Sequence, residues 1–296
     1  MALEIKQVGV VGAGLMGHGI AQVCAQAGYD VIVREVSDEK LNGALAKIEG
    51  QLARAVEKER STQVEADAVR GRIQGTLDYY DLRDCDVVIE AITENLDLKL
   101  EMWRDLDPIA KPAALFATNT SSLAVIAQAA VTTRPDQFVG LHFFNPAQVM
   151  KLVEIVRCVT TSQESFDAAI AFCQTLGKLG VTTKDKAGFI VNRLIVPYLL
   201  DAIRAYEEGV GTVEEIDIAM KAGTGHPMGP FTLADFIGLD TIGSICDVLF
   251  DEFRERRFAA PPTLRKMLLA GWYGRKSGVG FYDYSGETPV ANIGIT

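Results

Sequence analysis

The first part of the chain alternates between two patterns of hydrophobic and polar residues. Short β-branched runs, such as residues 8–11 and 31–33, predict buried strands, and the apolar residues after Ser37 recur at helical spacing. Ser37 itself is predicted to be the N-cap of that long helix. Further strands are predicted at residues 87–89, 115–117, 138–144, 152–156 and 180–183. Strands that alternate with helices predict an α/β domain with a doubly wound, mostly parallel sheet.

The pattern changes near residue 186, after which helical spacing alone is found. One apolar stripe, ended by Gly209, consists of Leu194, Ile195, Tyr198, Leu199, Ile203 and Tyr206. Thr212 and Glu215 predict a capping box for the next helix, which Gly223 is expected to close. We therefore predict one domain over residues 1–186 and a smaller, all-helical domain over 187–296. The tail from Ser285 receives no assignment.

Charge and composition exclude several classes of function. The chain has 29 basic and 39 acidic side chains, for a net charge of −10, which argues against nucleic acid as the main partner. No apolar run reaches the ~18 residues that span a bilayer. Glu4 interrupts what would be a secretory signal, so we expect a cytoplasmic protein or one in an organelle matrix. The five cysteines are widely spaced, which predicts small core residues and no metal site.

A glycine turn directly follows the first predicted strand. Its glycines have the spacing Gly12-x-Gly14-x-x-Gly17, with Leu15 and Met16 between the last two. A strand before the turn and a helix after it are the context in which this motif indicates a dinucleotide site. The unpaired N–H groups at the start of the helix would meet the pyrophosphate. The alternative is a glycine-rich turn that binds no ligand.

The second strand ends at an acidic residue, Glu35. A carboxylate at this place accepts hydrogen bonds from the adenosine ribose and repels a 2′-phosphate, so the sequence favours NAD over NADP. The neighbouring Arg34 leaves some use of NADP open.

Two polar residues stand inside otherwise apolar strands. His142 lies in the run 138–146, and Glu154 lies in the run 152–156. Burying a carboxylate is energetically costly unless it is paired, and His142 is the best-matched partner for Glu154 nearby in the sequence. Imidazole has a reference pKa of about 6.5 and can act as a general base near neutral pH. His18 and His226 are rival candidates, but neither has an obvious carboxylate to orient it.

Seven ordered motifs identify a family that the chain resembles. Besides the glycine turn, they are Asn-Thr-Ser-Ser at 119–122, His-Phe-Phe-Asn-Pro at 142–146, and the segments at 150–154, 188–193, 226–230 and 274–282. Together they resemble the 3-hydroxyacyl-CoA dehydrogenases, and among these the short 3-hydroxybutyryl-CoA dehydrogenases most. The resemblance runs from about residue 6 to 284.

The resemblance implies a Rossmann-type NAD domain, a helical C-terminal domain for the substrate and dimerisation, and an acyl-CoA substrate in fatty acid metabolism. It implies that His142 is the general base, that Glu154 orients it, that Ser121 bonds the substrate oxygen and that Asn192 helps to place the thioester. Positions that contact the cofactor in the family correspond to Glu94, Lys99, Asn119, Ser121, Asn145 and Lys276.

Coenzyme A contacts are expected at the end of the long helix. Lys58 matches a coenzyme A position of the family, whereas Gln51 stands where some relatives have a serine, which puts that contact in doubt. On a helix of 3.6 residues per turn, a basic stripe within about 40° of arc comprises Lys40, Lys47, Arg54 and Lys58. A solvated charged face is the alternative interpretation for Lys40 and Lys47.

Several alternatives stay open on the sequence alone. The substrate could instead be 3-hydroxyadipyl-CoA or a sugar acid such as gulonate, and the chain could be a non-catalytic, crystallin-like NAD-binding protein. We also expect a homodimer, because the second domain has more apolar surface than one small bundle readily hides. The residues that suggest this are Ile195, Tyr198, Leu199, Ile237 and Leu249.

Overall fold

In the computed structural model, which describes residues 4–292, the chain divides after Lys186 into two units. The first unit is built on eight strands, and each apolar run of the sequence analysis forms one of them. In chain order they are β1 (Gln7–Val11), β2 (Asp30–Arg34), β3 (Ile73–Thr76), β4 (Val87–Glu90), β5 (Leu115–Thr118), β6 (Phe138–Phe143), β7 (Leu152–Arg157) and β8 (Leu179–Lys184).

Six helices connect these strands. They are α1 (Gly17–Gln26), α2 (Asp38–Glu57), α3 (Gln63–Gly71), α4 (Leu96–Leu106), α5 (Val125–Ala129) and α6 (Gln163–Thr175). The predicted N-cap of α2 is confirmed, since the Ser37 hydroxyl accepts the Lys40 N–H. Asn95 caps α4 in the same way through the Leu98 N–H.

The eight strands form one sheet in the order β3-β2-β1-β4-β5-β6-β7-β8. All neighbours are parallel except β6 and β7, which run antiparallel. The order 3-2-1-4-5-6 is that of dinucleotide-binding sheets, so the predicted fold class is confirmed. The sequence analysis missed β3, because Ile73 is its one buried residue and no alternating pattern marks it.

The core of this unit lies on both faces of the sheet. Trp103 of α4 packs edge-on against Phe138 with ring centroids 4.8 Å apart, and Phe116 lies at the same distance. All five cysteines of the chain are buried and free, as predicted for small core residues.

The second unit is helical apart from one short ladder. Its helices are α7 (Val191–Glu207), α8 (Val213–Thr224), α9 (Pro230–Ile237), α10 (Leu239–Phe253) and α11 (Pro262–Leu269). The strands β9 (Tyr282–Asp283) and β10 (Val290–Ala291) pair antiparallel, and the sequence analysis predicted neither. Part of the unassigned tail is thus β10, while residues 293–296 lie outside the described residues.

The helix caps of this unit follow the sequence with one exception. The capping box of Thr212 and Glu215 is confirmed at the start of α8. The prediction that Gly223 closes this helix is wrong. The helix continues to Thr224, and Gly225 ends it with a φ of 72°, a left-handed conformation that glycine adopts without strain.

The apolar residues that suggested a dimer are mostly in the core of the second unit. Leu199 and Leu249 are buried, and Ile195, Tyr198 and Ile237 pack against the same core. The prediction that these five residues form apolar surface available to a second copy is therefore wrong. A different set of large apolar side chains is exposed in this unit, including Leu194, Val210, Ile218 and Leu269.

Two buried aspartates hold chain segments of the second unit together. Asp235 of α9 accepts the N–H groups of Phe281 and Tyr282 at 3.0 and 2.9 Å, and also the Tyr284 hydroxyl. Burial, with the nearby charge of Asp217, raises the pKa of Asp235 to about 6.

Asp217 of α8 has the same kind of partners. It accepts the N–H groups of Phe231 and Thr232 at the start of α9, and the Tyr282 hydroxyl at 3.0 Å. An acceptor at this position satisfies N–H groups that the first turn of a helix leaves unpaired.

Candidate active site

The glycine turn between β1 and α1 is shaped by close backbone contacts. Gly12 has a φ of 85°, and a Cβ there would lie 2.9 Å from the carbonyl oxygen of Ala91. A Cβ on Gly17 would lie 1.8 Å from the carbonyl oxygen of Gly12, so neither position accepts a side chain. A Cβ on Gly14 would meet nothing within 4 Å, which leaves the backbone open to a ligand.

A cavity of about 640 Å³ adjoins this turn. It is bounded by the glycine turn, the end of β2, one face of α2, the segment after β4 and the outer face of α4. Its lining includes Gly12, Ala13, Gly14, Arg34, Glu35, Lys40, Gly43, Ala44, Lys47, Tyr79, Ala91, Ile92, Thr93 and Met102. The size, the open backbone at Gly14 and the helix N-terminus together fit a dinucleotide. Leu15 is exposed beside the turn, and Met16 is the N-cap residue of α1.

Glu35 lines the cavity at the end of β2. One carboxylate oxygen accepts the Ala13 N–H at 2.7 Å, and the other accepts the Val36 N–H at 3.0 Å. Each oxygen can accept a further hydrogen bond, so the predicted ribose contact is compatible with this geometry. The neighbouring Arg34 stacks its guanidinium 3.8 Å above the ring of Tyr79.

Lys40 and Lys47 also line the cavity. They project from the same face of α2 as Gly43 and Ala44. Because glycine has no side chain and alanine only a methyl group, there is room between the two lysines. These lysines are therefore exposed to solvent and also line the cavity.

The predicted pairing of His142 and Glu154 is confirmed. The two residues stand directly opposite each other where β6 and β7 run antiparallel. His142 Nδ1 lies 2.7 Å from Glu154 Oε2, and the two residues are 6% and 0% exposed. A carboxylate on Nδ1 fixes the ring so that Nε2 is the nitrogen for proton transfer.

The two rival histidines have other partners. His18 Nδ1 lies 2.5 Å from the Gly14 carbonyl oxygen, and its Nε2 lies 3.3 Å from the Gln51 amide nitrogen. His226 Nδ1 lies 3.2 Å from the Tyr198 hydroxyl. Within residues 4–292, neither ring bonds to a carboxylate, so neither has the orienting group that His142 has.

The loop after β5 is fixed to neighbouring segments by polar side chains. Asn119 Oδ1 accepts the Phe143 N–H at 2.9 Å, which ties this loop to the strand that carries His142. Glu94 accepts the Thr120 hydroxyl at 2.6 Å and the Ser121 N–H at 2.9 Å. Lys99 Nζ lies 3.3 Å from Glu94 Oε2, so the structure brings together four of the predicted residues, Glu94, Lys99, Asn119 and Ser121.

Each of the other predicted residues is placed within its own unit. Asn145 is exposed after β6 and forms a cis peptide bond with Pro146. Lys58 is exposed at the C-cap of α2. Asn192 is the second residue of α7, and Lys276 Nζ pairs with Asp240 at 2.6 Å, both in the second unit. Their roles remain predictions.

Glu90 is a site-associated residue that the sequence analysis missed. It ends β4 and is fully buried, with Lys99 Nζ 2.5 Å from its Oε1 atom. The signal was present in the sequence as a single acid at the end of the apolar run 87–89.

Metal ligands and membrane spans were also sought in the described part of the chain. Residues 4–292 contain no group of three or more histidine, cysteine, aspartate or glutamate side chains arranged to hold a metal ion. Among the helices of that range, none is long and apolar enough to cross a bilayer.

The sheet order, the glycine turn with its cavity and the buried histidine–carboxylate pair define the class of a dinucleotide-dependent oxidoreductase. The sequence matches the profile described as 3-hydroxyacyl-CoA dehydrogenase, NAD binding domain, over residues 7–186. It matches the C-terminal domain of the same enzymes over residues 188–284. The chain belongs to the 3-hydroxyacyl-CoA dehydrogenase family, and its first unit is an NAD-binding domain.

Individual relatives are similar over nearly their whole length. The chain is 46% identical to a 3-hydroxybutyryl-CoA dehydrogenase of Bradyrhizobium diazoefficiens, over 98% of this chain and 99% of that protein. It is 43% identical to the human mitochondrial hydroxyacyl-coenzyme A dehydrogenase, over 95% of this chain and 91% of that protein. The crystal structure of the (S)-3-hydroxybutyryl-CoA dehydrogenase of Ralstonia eutropha superposes with a TM-score of 0.92, at 43% identity over 96% of this chain and 100% of that one.

Proposed function

We propose that the chain catalyses the NAD-dependent interconversion of 3-hydroxybutyryl-CoA and acetoacetyl-CoA. The buried pair of His142 and Glu154, 2.7 Å apart, carries this proposal. Oxidation of a secondary alcohol requires a group that removes the hydroxyl proton, and an oriented imidazole is suited to that task. The names of the relatives from B. diazoefficiens and R. eutropha support the four-carbon substrate.

His142 and Glu154 have distinct parts in the proposed chemistry. NAD, when bound, supplies the acceptor for the hydride that leaves C3 of the substrate. His142 takes the hydroxyl proton on Nε2, while Glu154 holds the ring through Nδ1 and stabilises the imidazolium that results. In the direction of reduction, His142 returns the same proton to the ketone oxygen.

Other side chains bind and orient the reactants in this proposal. Ser121 bonds the substrate oxygen, and Asn192 helps to place the thioester. The cofactor is held by the glycine turn and Glu35, and further contacts come from Glu94, Lys99, Asn119, Asn145 and Lys276. Lys58 meets the coenzyme A moiety, because an exposed lysine at the end of α2 can pair with a phosphate.

A substrate panel tests this function. The purified protein is assayed with NADH and acetoacetyl-CoA, 3-ketohexanoyl-CoA or 3-ketoadipyl-CoA, and with NAD and gulonate. We expect the highest kcat/KM for acetoacetyl-CoA. A clear preference for the adipyl ester or for gulonate would overturn the proposed substrate. No turnover with any of them, despite NADH binding, would indicate a crystallin-like protein.

We also propose that two copies pair through the second unit and that the protein works in the cytoplasm. The exposed apolar side chains Leu194, Val210 and Ile218 support the first of these proposals, since burial against a second copy would remove their apolar surface from water. Sedimentation at micromolar concentration should give a dimer, and a species of 32.1 kDa alone would contradict it. Cell fractionation tests the compartment.

A further inference from the structure

Three charged side chains form a cluster at the carboxyl end of β4, in which Glu90 and Lys99 are buried and Glu94 is partly exposed. Lys99 Nζ lies 2.5 Å from Glu90 Oε1 and 3.3 Å from Glu94 Oε2. Glu90 and Lys99 are 0% and 1% exposed. We call Glu90, Lys99 and Glu94 the acidic cluster, because two carboxylates share one ammonium and leave a net charge of −1.

Glu90 is saturated with donors inside the protein. Besides the Lys99 ammonium, it accepts the Ile92 N–H at 2.7 Å and the Thr118 hydroxyl at 2.6 Å. A fully buried carboxylate persists in its charged form only with such partners. These donors hold the Glu90 side chain in one place where β4 and β5 end.

Glu94 connects the cluster to the loop that carries Ser121. Burial opposes its ionisation, yet the Lys99 charge, the Thr120 hydroxyl and the Ser121 N–H outweigh burial, so the pKa of Glu94 lies below its ordinary value. Glu94 is therefore ionised at neutral pH.

The cluster adjoins the dinucleotide cavity. Ile92, whose N–H bonds to Glu90, lines that cavity together with Ala91 and Thr93. Glu94 and Ser121 are among the residues that we propose to meet the cofactor and the substrate, so the inference that follows rests on the proposed function.

We propose that Glu90 is a positioning residue that sets the net charge of the acidic cluster and so adjusts the affinity for NAD⁺ relative to NADH. The nicotinamide ring carries a positive charge when it is oxidised and none when it is reduced. A negative charge beside the cavity that would hold the cofactor favours the oxidised form, and its removal favours the reduced form. Glu90 acts here through Lys99 and Glu94 and touches neither reactant.

Equilibrium binding to the full-length protein tests this inference without any turnover. The Kd for NADH is measured by fluorescence, the Kd for NAD⁺ by competition, and the Kd for ADP-ribose, which lacks nicotinamide, in the same way. In Glu90→Gln, the ratio of Kd for NAD⁺ to Kd for NADH should rise roughly three- to tenfold. The Kd for ADP-ribose should change less than about twofold.

A series of variants that differ in the net charge of the acidic cluster separates this electrostatic effect from a general loss of structure. Lys99→Gln makes the cluster charge −2 and should move the ratio in the opposite direction. The double variant Glu90→Gln/Lys99→Gln restores −1 and should return the ratio to within about twofold of the wild type. If Glu90→Gln fails to fold, Lys99→Gln and the double variant carry the test by themselves.

Asp86 supplies the matched control at the other end of β4. This carboxylate is also buried, pairs with Lys111 and accepts the N–H groups of Lys6 and Gln7. Asp86→Asn should leave the ratio unchanged. The inference is overturned if the ratio does not follow cluster charge, or if Asp86→Asn shifts it equally. Failure of the proposed function would appear differently, as tight NADH binding without acyl-CoA turnover.

Discussion

The two units of the chain both bury carboxylates, but they surround them with different partners. In the first unit, Glu154 faces an imidazole, and Glu90 faces an ammonium. In the second unit, Asp217 and Asp235 face backbone N–H groups and phenol hydroxyls. Burial is similar in all four, so the partner decides what each carboxylate can do.

An imidazole can gain and lose a proton near neutral pH, whereas a backbone N–H cannot. The carboxylate beside His142 is therefore able to support chemistry. Asp217 and Asp235 instead tie α8, α9 and the segment 281–284 together. If this comparison is right, substitution of Glu154 should affect turnover, and substitution of Asp217 or Asp235 should affect stability.

The largest effect is expected from His142→Ala. General base catalysis contributes ~10²–10⁴ to a rate, so kcat should fall by about that factor while the Kd for NADH stays within about twofold. Steady-state kinetics with acetoacetyl-CoA and fluorescence titration measure the two quantities. His226→Ala is the control and should keep kcat. A loss below about tenfold in His142→Ala would place the base elsewhere.

Asp235→Asn should change stability and leave turnover nearly intact. The folded pKa of about 6 lies above the ordinary 3.8, so between these values the folded state binds the extra proton. In the wild type this carboxyl should lower the free energy of unfolding by roughly 1–3 kcal/mol as pH rises from about 4 to about 6.

In Asp235→Asn that part of the pH dependence should disappear, and kcat per folded molecule should change less than about threefold. Urea unfolding at a series of pH values measures the first quantity. An unchanged slope would mean that Asp235 does not titrate in this window, and a large loss of kcat would break the comparison between the units.

A smaller effect is expected from Lys58→Ala. The exposed lysine at the end of α2 should contact a phosphate of coenzyme A, so KM for acetoacetyl-CoA should rise several-fold with kcat nearly unchanged. A truncated thioester without the nucleotide serves as the control, and its kinetics should hardly change. Equal losses with both substrates would remove Lys58 from the binding site.

The smallest effect is expected from Glu35→Gln. The wild type should use NADH in preference to NADPH, because the carboxylate repels a 2′-phosphate. In Glu35→Gln, the neutral amide should reduce the ratio of kcat/KM with NADH to kcat/KM with NADPH by a few-fold. A wild type that prefers NADPH would contradict the ribose assignment and point to Arg34 and Lys40 instead.

Much of the fold could be predicted because its signals are local. The strands β1, β2, β4 and β5 carry buried apolar runs, and the caps at Ser37 and Thr212 need only a hydroxyl three residues before an N–H. Two local predictions failed. Strand β3 was missed because its hydrophobic pattern is weak, and the end of α8 was misplaced because Gly223 and Gly225 are both possible helix-ending residues.

The site was only partly predictable because its contacts depend on strand order. The pairing of His142 with Glu154 could be inferred from two polar residues in adjacent apolar strands. Its register, with the two directly opposed, required the antiparallel step between β6 and β7. The burial of Lys99 against Glu90 could not be seen in the sequence, because a helical lysine ordinarily points to solvent.

The central claim is that His142 and Glu154 act as one unit in proton removal. A double-mutant cycle of His142→Ala and Glu154→Gln, with kcat/KM for alcohol oxidation as the readout, tests it most directly. We predict that the double variant is barely slower than His142→Ala, because Glu154 acts through the imidazole that His142→Ala removes. Additive losses in the double variant would contradict the claim.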